Sequence, residues 1–287
     1  MLSAITLPTT TAHSASTATD LQSATSELWR DPNAPSAHTQ AQFADVINQY
    51  WQEPFVGRTI YSDEHLRIVI NPQLDADEGV TILHTLSNTH TAIALLPHIA
   101  EALHSHGVLH SSEGLTADRI RMALAELGIV MHGADCLYYV PNDVRQAWLN
   151  EAENSAIRQL SPDDAMLFAE LEYHTSDDDL DMAQVAIDDW AAFGVWEEQN
   201  GTLVGAASIY PWCNAPILDI GIFTLTTARG QGHATQLLRA VGRYAMAHHY
   251  ELQYRSQADN HASIALAEAA GLALFGYWEI PTPHTPT

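Results

Sequence analysis

The chain has 287 residues, 46% hydrophobic and 16% charged, enough for about two domains that each bury a core. Its 35 acidic residues face 11 basic ones, a formal net charge of -24, which excludes the positive footprint that nucleic acids and anionic membranes require. All the basic residues are arginine, and the absence of lysine excludes a P-loop NTPase of the GK(S/T) type, a protein kinase and a Schiff-base enzyme using pyridoxal phosphate.

Mean hydropathy is -0.10, and no apolar run reaches the ~18–20 residues of a membrane span. The opening MLSAITLPTT has neither a basic n-region nor a long apolar stretch, so no secretory signal is expected. Cys136 and Cys213 lie far apart and form no CxxC, which fits a reducing cytoplasm.

Residues 1–40, rich in Ser, Thr, Ala and Pro, read as a disordered tail. Residues 41–150 read as an α/β domain of unknown role. LRIVINP (66–72), VTILHTL (80–86) and THTAIALL (89–96) are predicted strands, with the acidic turn DADEG (75–79) after the first. A helix is expected over 97–106. Thr116 caps another, in which Ile120, Leu124 and Leu127 recur at helical spacing until Gly128 stops it. ADCLYYVP (134–141) is a strand closed by Pro141, and 142–154 a helical connection. The layout of this domain allows a degenerate half of a tandem enzyme, a dimerisation unit or a substrate lid.

Residues 151–287 read as a second domain. AIRQL (156–160) is a short strand. Ser161 as N-cap, Pro162 at the first helical position and two following acids then open a helix to about 173. The acidic stretch HTSDDDLD (174–181) reads as a loop before a second helix that ends near Trp190. FGVWEEQ (193–199), Asn200-Gly201 and TLVGAASIY (202–210) form a hairpin. ILDIGIFTLT (217–226) is a long strand, followed by a helix over about 234–248 with Leu237, Leu238, Val241 and Ala245 on one face. ELQYRSQ (251–257), a helix over 260–271 ended by Gly271, and LALFGYWEI (272–280) complete the chain before a frayed tail at 281–287.

The turn between the long strand and its helix carries the chemistry. A strand feeding a glycine-rich turn and then a helix leaves unpaired N–H groups at a positive helix end, which suits an anion. Gly230 and Gly232 let the backbone approach a phosphate, and Arg229 adds a charge. Arg229, Gly232 and Ala234 match in order the Q/R-x-x-G-x-G/A pyrophosphate loop of the GNAT acyltransferase superfamily, which the sequence resembles here. The run from Asn260 through Ser263 and Leu266 to Gly271-Leu272 resembles that family's N-x-x-A/S-x-x-L-x-x-x-x-G-F/L helix, and the order of elements over 156–280 agrees.

The resemblance implies a GNAT acyltransferase fold: a mixed α/β (α+β) sheet splayed at its centre, here preceded by the smaller α/β domain. It implies acetyl-CoA as co-substrate, with no metal, and transfer of an acetyl group to an amine by direct attack on the thioester. Cofactor contacts would come from the pyrophosphate loop, Arg229, Gly230, Gln231, Gly232, His233, Ala234 and Thr235, from Phe223, Thr224 and Leu225 along the pantetheine arm, and from Asn260 and Ser263 near the thioester. Asp219 is the candidate base. It shares a strand face with Ile217 and Gly221, opposite Leu218, Ile220 and Ile222, which suit the helix-packed core. The family's usual tyrosine acid falls at Ala267, so either the thiolate leaves unassisted or another group substitutes, with Tyr254 and Ser256 on the neighbouring strand as the candidates. The lost tyrosine leaves an alternative open: a catalytically weak or inactive acyl-CoA sensor. The acceptor is a small-molecule or protein amine. The acid-rich stretch 174–181 borders the acceptor site in this family and favours a cationic one. A homodimer is compatible with this reading.

Other clusters carry less. His104, His106 and His110 match no closed zinc site, and Asp177, Asp178, Asp179 and Asp181 lack the glycine and distal glutamate of a calcium loop. His248 and His249 suit a helix C-terminus. Phe193, Trp196, Trp212 and Trp278 are expected in packing.

Overall fold

The computed structural model describes residues 41–282 apart from 77, 88, 111–113 and 198–200. The tails expected at 1–40 and over most of 281–287 lie outside the described residues, as does Asn200 of the expected hairpin turn.

The first segment opens with two elements that the sequence reading leaves out: α1 (Asp45–Gln52) and β1 (Arg58–Ser62). α1 is two turns long and buries only Ile47 and Trp51, and β1 is a mostly exposed edge strand, so neither shows a sustained period. Next come β2 (Leu66–Ile70), β3 (Val80–Thr85), β4 (His90–Leu95), α2 (Pro97–Ser105), α3 (Ala117–Glu126), β5 (Asp135–Tyr139) and α4 (Asn142–Leu149). The Thr116 side chain accepts from Arg119 N to cap α3. The α4 helix stops at Leu149, short of the expected 154.

The second segment contains β6 (Ile157–Gln159), α5 (Ala165–Tyr173), α6 (Asp177–Ala183), β7 (Ala191–Trp196), β8 (Leu203–Pro211), β9 (Ile217–Thr224), α7 (His233–Ala247), β10 (Glu251–Gln257), α8 (His261–Ala270) and β11 (Ala273–Glu279). A capping box between Ser161 and Asp164 leads into α5. The acidic stretch corrects the sequence reading. It is not a loop: Asp177, Asp178 and Asp179 form the first turn of α6, capped by Ser176, where negative charge meets the positive helix end. The helix ends at Ala183 rather than near Trp190, because Gln184 turns left-handed at φ 50°.

All strands among the described residues join one sheet in the order β1-β2-β4-β3-β11-β5-β10-β9-β8-β7-β6. β5, from the first segment, lies antiparallel between β10 and β11 of the second. The parallel pairs are β2 with β4 and β9 with β10. The β9–β10 pairing runs only from Ile217↔Glu251 to Asp219↔Gln253. Beyond it β9 stays on β8 to Thr224, while β10 stays on β5 to Gln257. The sheet therefore opens at the C-terminal ends of these two strands.

α7 and α8 cover one face, where Leu218 and Ile220 pack with Leu237, Leu238, Val241 and Ala245. The opposite face is covered by α1 over Ile217, Leu137 and Phe275, and by α5 over Ala192, Ala206 and Phe223. Each fully buried Leu, Ile or Phe contributes about 1.5–3 kcal/mol, so both faces anchor the opened strands. The C-terminal end of α6 lies so close to β9 that a Cβ at Gly221 would stand 2.0 Å from the Ala183 carbonyl oxygen. Among the described residues no helix is long and apolar enough to cross a membrane.

Candidate active site

The loop after β9 is shaped for an anion. A single 3₁₀ turn over Thr226–Ala228 leads to Gly230 and Gly232, at φ 75° and 84°, where a side chain would be strained. Gly232 is the N-cap of α7 and has no side-chain cap. The first helical bond runs from Gln236 N to Gly232 O. The preceding amides, from Gly230 to Thr235, donate to no backbone carbonyl among the described residues. They and the positive end of the α7 dipole follow directly on the end of β9, where the sheet opens. His233 Nε2 is enclosed there without a hydrogen-bond partner.

The strand edge beside the loop refines one expectation. Leu225 N–H is not available to a ligand, because it donates to Val204 O at 2.9 Å. By antiparallel alternation Phe223 also turns its backbone groups to β8, and those of Ile222 and Thr224 turn to the opening.

Asp219 is not a free carboxylate. It lies on the face expected for it, but it is 3% exposed and fully engaged. Oδ2 accepts from Tyr210 Oη at 2.9 Å and from Arg255 Nε and Nη2 at 3.0 and 2.8 Å, and Oδ1 accepts from Gln253 Nε2 at 3.1 Å. Register explains the cluster: Tyr210, Asp219, Gln253 and Tyr139 are direct neighbours across β8, β9, β10 and β5. Gln253 accepts from the Tyr139 hydroxyl, which in turn accepts from Trp51 Nε1 at 2.7 Å. Arg255 also donates to Asp135 Oδ2 at 2.9 Å and stacks on Trp212, its guanidinium carbon 4.3 Å from the ring centre. Burial holds the Asp135 carboxyl above the ordinary range, while the Arg255 charge pulls it back. Arg255, Gln253, Tyr210 and Asp135 escaped the sequence reading. The one signal, for Arg255 and Gln253 alone, was an arginine alternating with Gln253 and Gln257 along β10.

Tyr254 and Ser256 point the other way, toward α8. Tyr254 is buried; burial pushes its phenol pKa up, and the Ser263 side chain partly offsets this by hydrogen bonding. Ser256 Oγ is buried and makes no hydrogen bond. Its cross-strand neighbour Cys136 is a buried thiol pushed up to about 12 by burial and by the charges of Asp135 and Asp259, so it stays protonated at neutral pH. Asn260 caps α8 by accepting from Ser263 N at 3.0 Å, which commits its side-chain oxygen. Ala267 is completely buried against the sheet. The structure thus gathers the 229–235 loop, the end of β9, Tyr254, Ser256, Asn260 and Ser263 at one end of the opening, and sets Asp219 apart on the opposite face.

Arg229 has a partner before any ligand arrives. Its Nη2 is 2.8 Å from Asp179 Oδ1 in the first turn of α6. The Ser176 hydroxyl and then Arg229 hold the Asp179 carboxyl below its usual range. Of the aromatic residues, Phe193 packs on Tyr244 with ring centres 5.0 Å apart, Trp196 lies under Arg158 at 4.2 Å, and Trp212 meets Trp278 at 6.1 Å. Among the described residues no three His, Cys, Asp or Glu side chains cluster to hold a metal ion.

Residues 155–272 match the model of the acetyltransferase (GNAT) family. Solved structures similar to the chain include a GNAT-family acetyltransferase from Colwellia psychrerythraea, at 16% identity over 66% of this chain and 75% of that one, with a TM-score of 0.45. A conserved protein of unknown function from Staphylococcus epidermidis is similar at 17% identity over 87% of this chain and 100% of that one, with a TM-score of 0.44. An N-acetyltransferase from Staphylococcus aureus is similar at 24% identity over 45% of this chain and 99% of that one, with a TM-score of 0.33. No curated protein matches the sequence.

Proposed function

With a domain of the acetyltransferase (GNAT) family at 155–272 as the premise, we propose that the protein is an acetyl-CoA-dependent N-acetyltransferase. It moves the acetyl group to an amine by direct attack on the thioester. The observation that carries this reading is the run of unpaired amides from Gly230 to Thr235, set beside strands that part after Asp219 and Gln253. The orphaned Ser256 hydroxyl in the same opening fits a polar ligand.

Acetyl-CoA supplies an acyl group activated as a thioester. The amides of residues 230–235 hold its pyrophosphate, and Arg229 adds charge once it leaves Asp179. The outward N–H groups of Ile222 and Thr224 bind the pantetheine arm as an added strand and polarise the carbonyl. Tyr254 holds a proton for the departing sulfur, since burial keeps its phenol neutral at pH 7. Asp219 serves as a positioning residue, fixing Arg255 and with it β10. The acceptor arrives as an ammonium, loses one proton to solvent to become the attacking amine and a second as the amide forms, and the Tyr254 phenol that protonates sulfur is reprotonated from solvent. The acidic balance and the carboxylates of α6 support a cationic amine.

A second reading, an acyl-CoA-binding protein without turnover, is favoured by the engaged Asp219 and by alanine at position 267. Calorimetric titration with acetyl-CoA tests both readings, with Ala234→Glu as the control because Ala234 has helical backbone and a glutamate there repels the pyrophosphate. Binding lost in Ala234→Glu, together with turnover on a panel of amines, supports the enzyme. Binding without turnover on any amine supports the second reading. No binding by the folded wild type overturns both.

A further inference from the structure

We infer that the outer face of α5 docks a basic amphipathic helix of another protein. The α5 sequence, AMLFAELEY, carries apolar side chains on every side of the helix. Phe168 and Leu171 turn inward and pack with Ala192, Ala206 and Phe223. Met166, Ala169 and Tyr173, at spacings of three and four residues, then form one stripe on the opposite side. Met166 is 86% exposed, Tyr173 84%, and Leu167 on the flank of the stripe 43%. A surface helix ordinarily turns polar residues to this side, and a helix that is apolar all round is ordinarily covered. Single exposed apolar residues need no explanation, but a group of them marks a contact surface. Methionine adapts to a partner's shape, and tyrosine offers a large contact area at low entropic cost.

Charge identifies the occupant. Asp163, Glu170, Glu172 and Asp177 lie within and beside this helix and form no ion pair among the described residues. Arg158 and Arg229 bracket the region, with no arginine between them, and they are committed to Asp164 and Asp179. An apolar stripe with an uncompensated acidic rim is complementary to an apolar stripe bordered by lysine or arginine. A second copy of the chain fits poorly. A two-fold contact sets the same patch against itself, acid on acid, between chains of formal net charge -24. An anionic membrane is repelled on the same ground. Nine residues make α5 about 13 Å long, so a partner helix packed along it meets the stripe over about two and a half turns. None of these residues belongs to the 229–235 loop or to the facing ends of β9 and β10, so the inference stands apart from the acetyl-transfer reading.

The test is calorimetric titration of the full chain, at about 0.15 M salt to screen diffuse attraction, with a synthetic leucine–lysine peptide whose leucines share one helical face. The same peptide with glutamate at every lysine is the control. Wild type is expected to bind the lysine peptide one to one with a Kd of roughly 10–100 μM, as suits a small interface. Met166→Ser/Tyr173→Ser keeps every charge and, at positions this exposed, the fold; it should bind at least about tenfold more weakly. Glu170→Gln/Glu172→Gln keeps the stripe and should weaken binding about threefold. Equal binding by wild type and the serine variant, equal binding of the two peptides, or no binding by folded wild type overturns the inference. Sedimentation of wild type as a dimer that the serine variant breaks also overturns it, by giving the face to a second copy.

Discussion

Replacing Asp219 with Asn separates a positioning role from a catalytic one. Asp219 accepts two charge-assisted bonds from Arg255 and one each from Gln253 and Tyr210. Asparagine keeps one oxygen but turns an NH₂ group toward the guanidinium or toward Gln253, and the pair loses its charge. Removing one partner of a buried ion pair costs about 3–5 kcal/mol. Asp135 still holds Arg255 Nη1 at 2.9 Å, so the lower end, about 3 kcal/mol, is expected. At roughly 2–4 °C per kcal/mol for a chain of this size, Tm should fall by about 6–12 °C. Acetyl transfer per folded molecule should fall by less than about tenfold, because Asp219 acts through the placement of β10 and not on the amine. Thermal unfolding followed by circular dichroism, with initial rates taken well below the transition, measures both quantities. A Tm within about 2 °C of wild type, combined with the ~10²–10⁴-fold rate loss of a missing general base, would refute the reasoning.

Asp179→Asn should free Arg229 and leave an acceptor for the Ser176 hydroxyl. For a pair this exposed the gain is about 0.2–1 kcal/mol, up to about fivefold tighter acetyl-CoA binding by calorimetry, and unchanged affinity would count against the competition. Tyr254→Phe should lower kcat by about 10²-fold with little change in KM, since the phenol is invoked only at sulfur departure; an equal kcat would remove it from the mechanism. His84 is held down to about 4, chiefly by burial and then by the charges of Arg121 and His90. Its folded pKa lies below the unfolded value of 6.5, so the unfolded chain binds the extra proton between those values. This contribution to stability is therefore complete above pH 6.5 and is lost as pH falls toward about 4. The Tm difference between wild type and His84→Gln should shrink across that window, and a constant difference would contradict the assignment. Deleting residues 1–150 removes β5 from between β10 and β11 and strips both of a partner. The remaining chain should lose cooperative unfolding and acetyl-CoA binding, and a cooperative, acetyl-CoA-binding fragment would show that β5 is dispensable.

Much of the structure was legible locally. Thr116 with Gly128, Ser161 with Pro162, and Asn260 with Gly271 mark helix ends because capping is chemistry within a few residues of chain. The 229–235 loop was readable for the same reason: strand, glycines and helix are contiguous. Alternation along β9 placed Asp219 opposite Leu218 and Ile220. Short or weakly patterned elements were lost. α1 is too brief to show a period, β1 is exposed, and the aspartates that read as a loop turned out to be the acidic first turn of α6.

By itself, then, the sequence determined the elements, their caps and an anion-ready helix end, since these depend on neighbours along the chain. Only the tertiary structure decided what each strand pairs with. It set β5 inside the sheet of the later segment, joined Asp135 to Arg255 across 120 positions, and closed that arginine on Asp219. It also put Asp179 on Arg229 and two arginines on Glu151. The physical reason is that register and ion pairing are settled by which apolar faces can be buried together, a condition on the whole sheet that no local window contains.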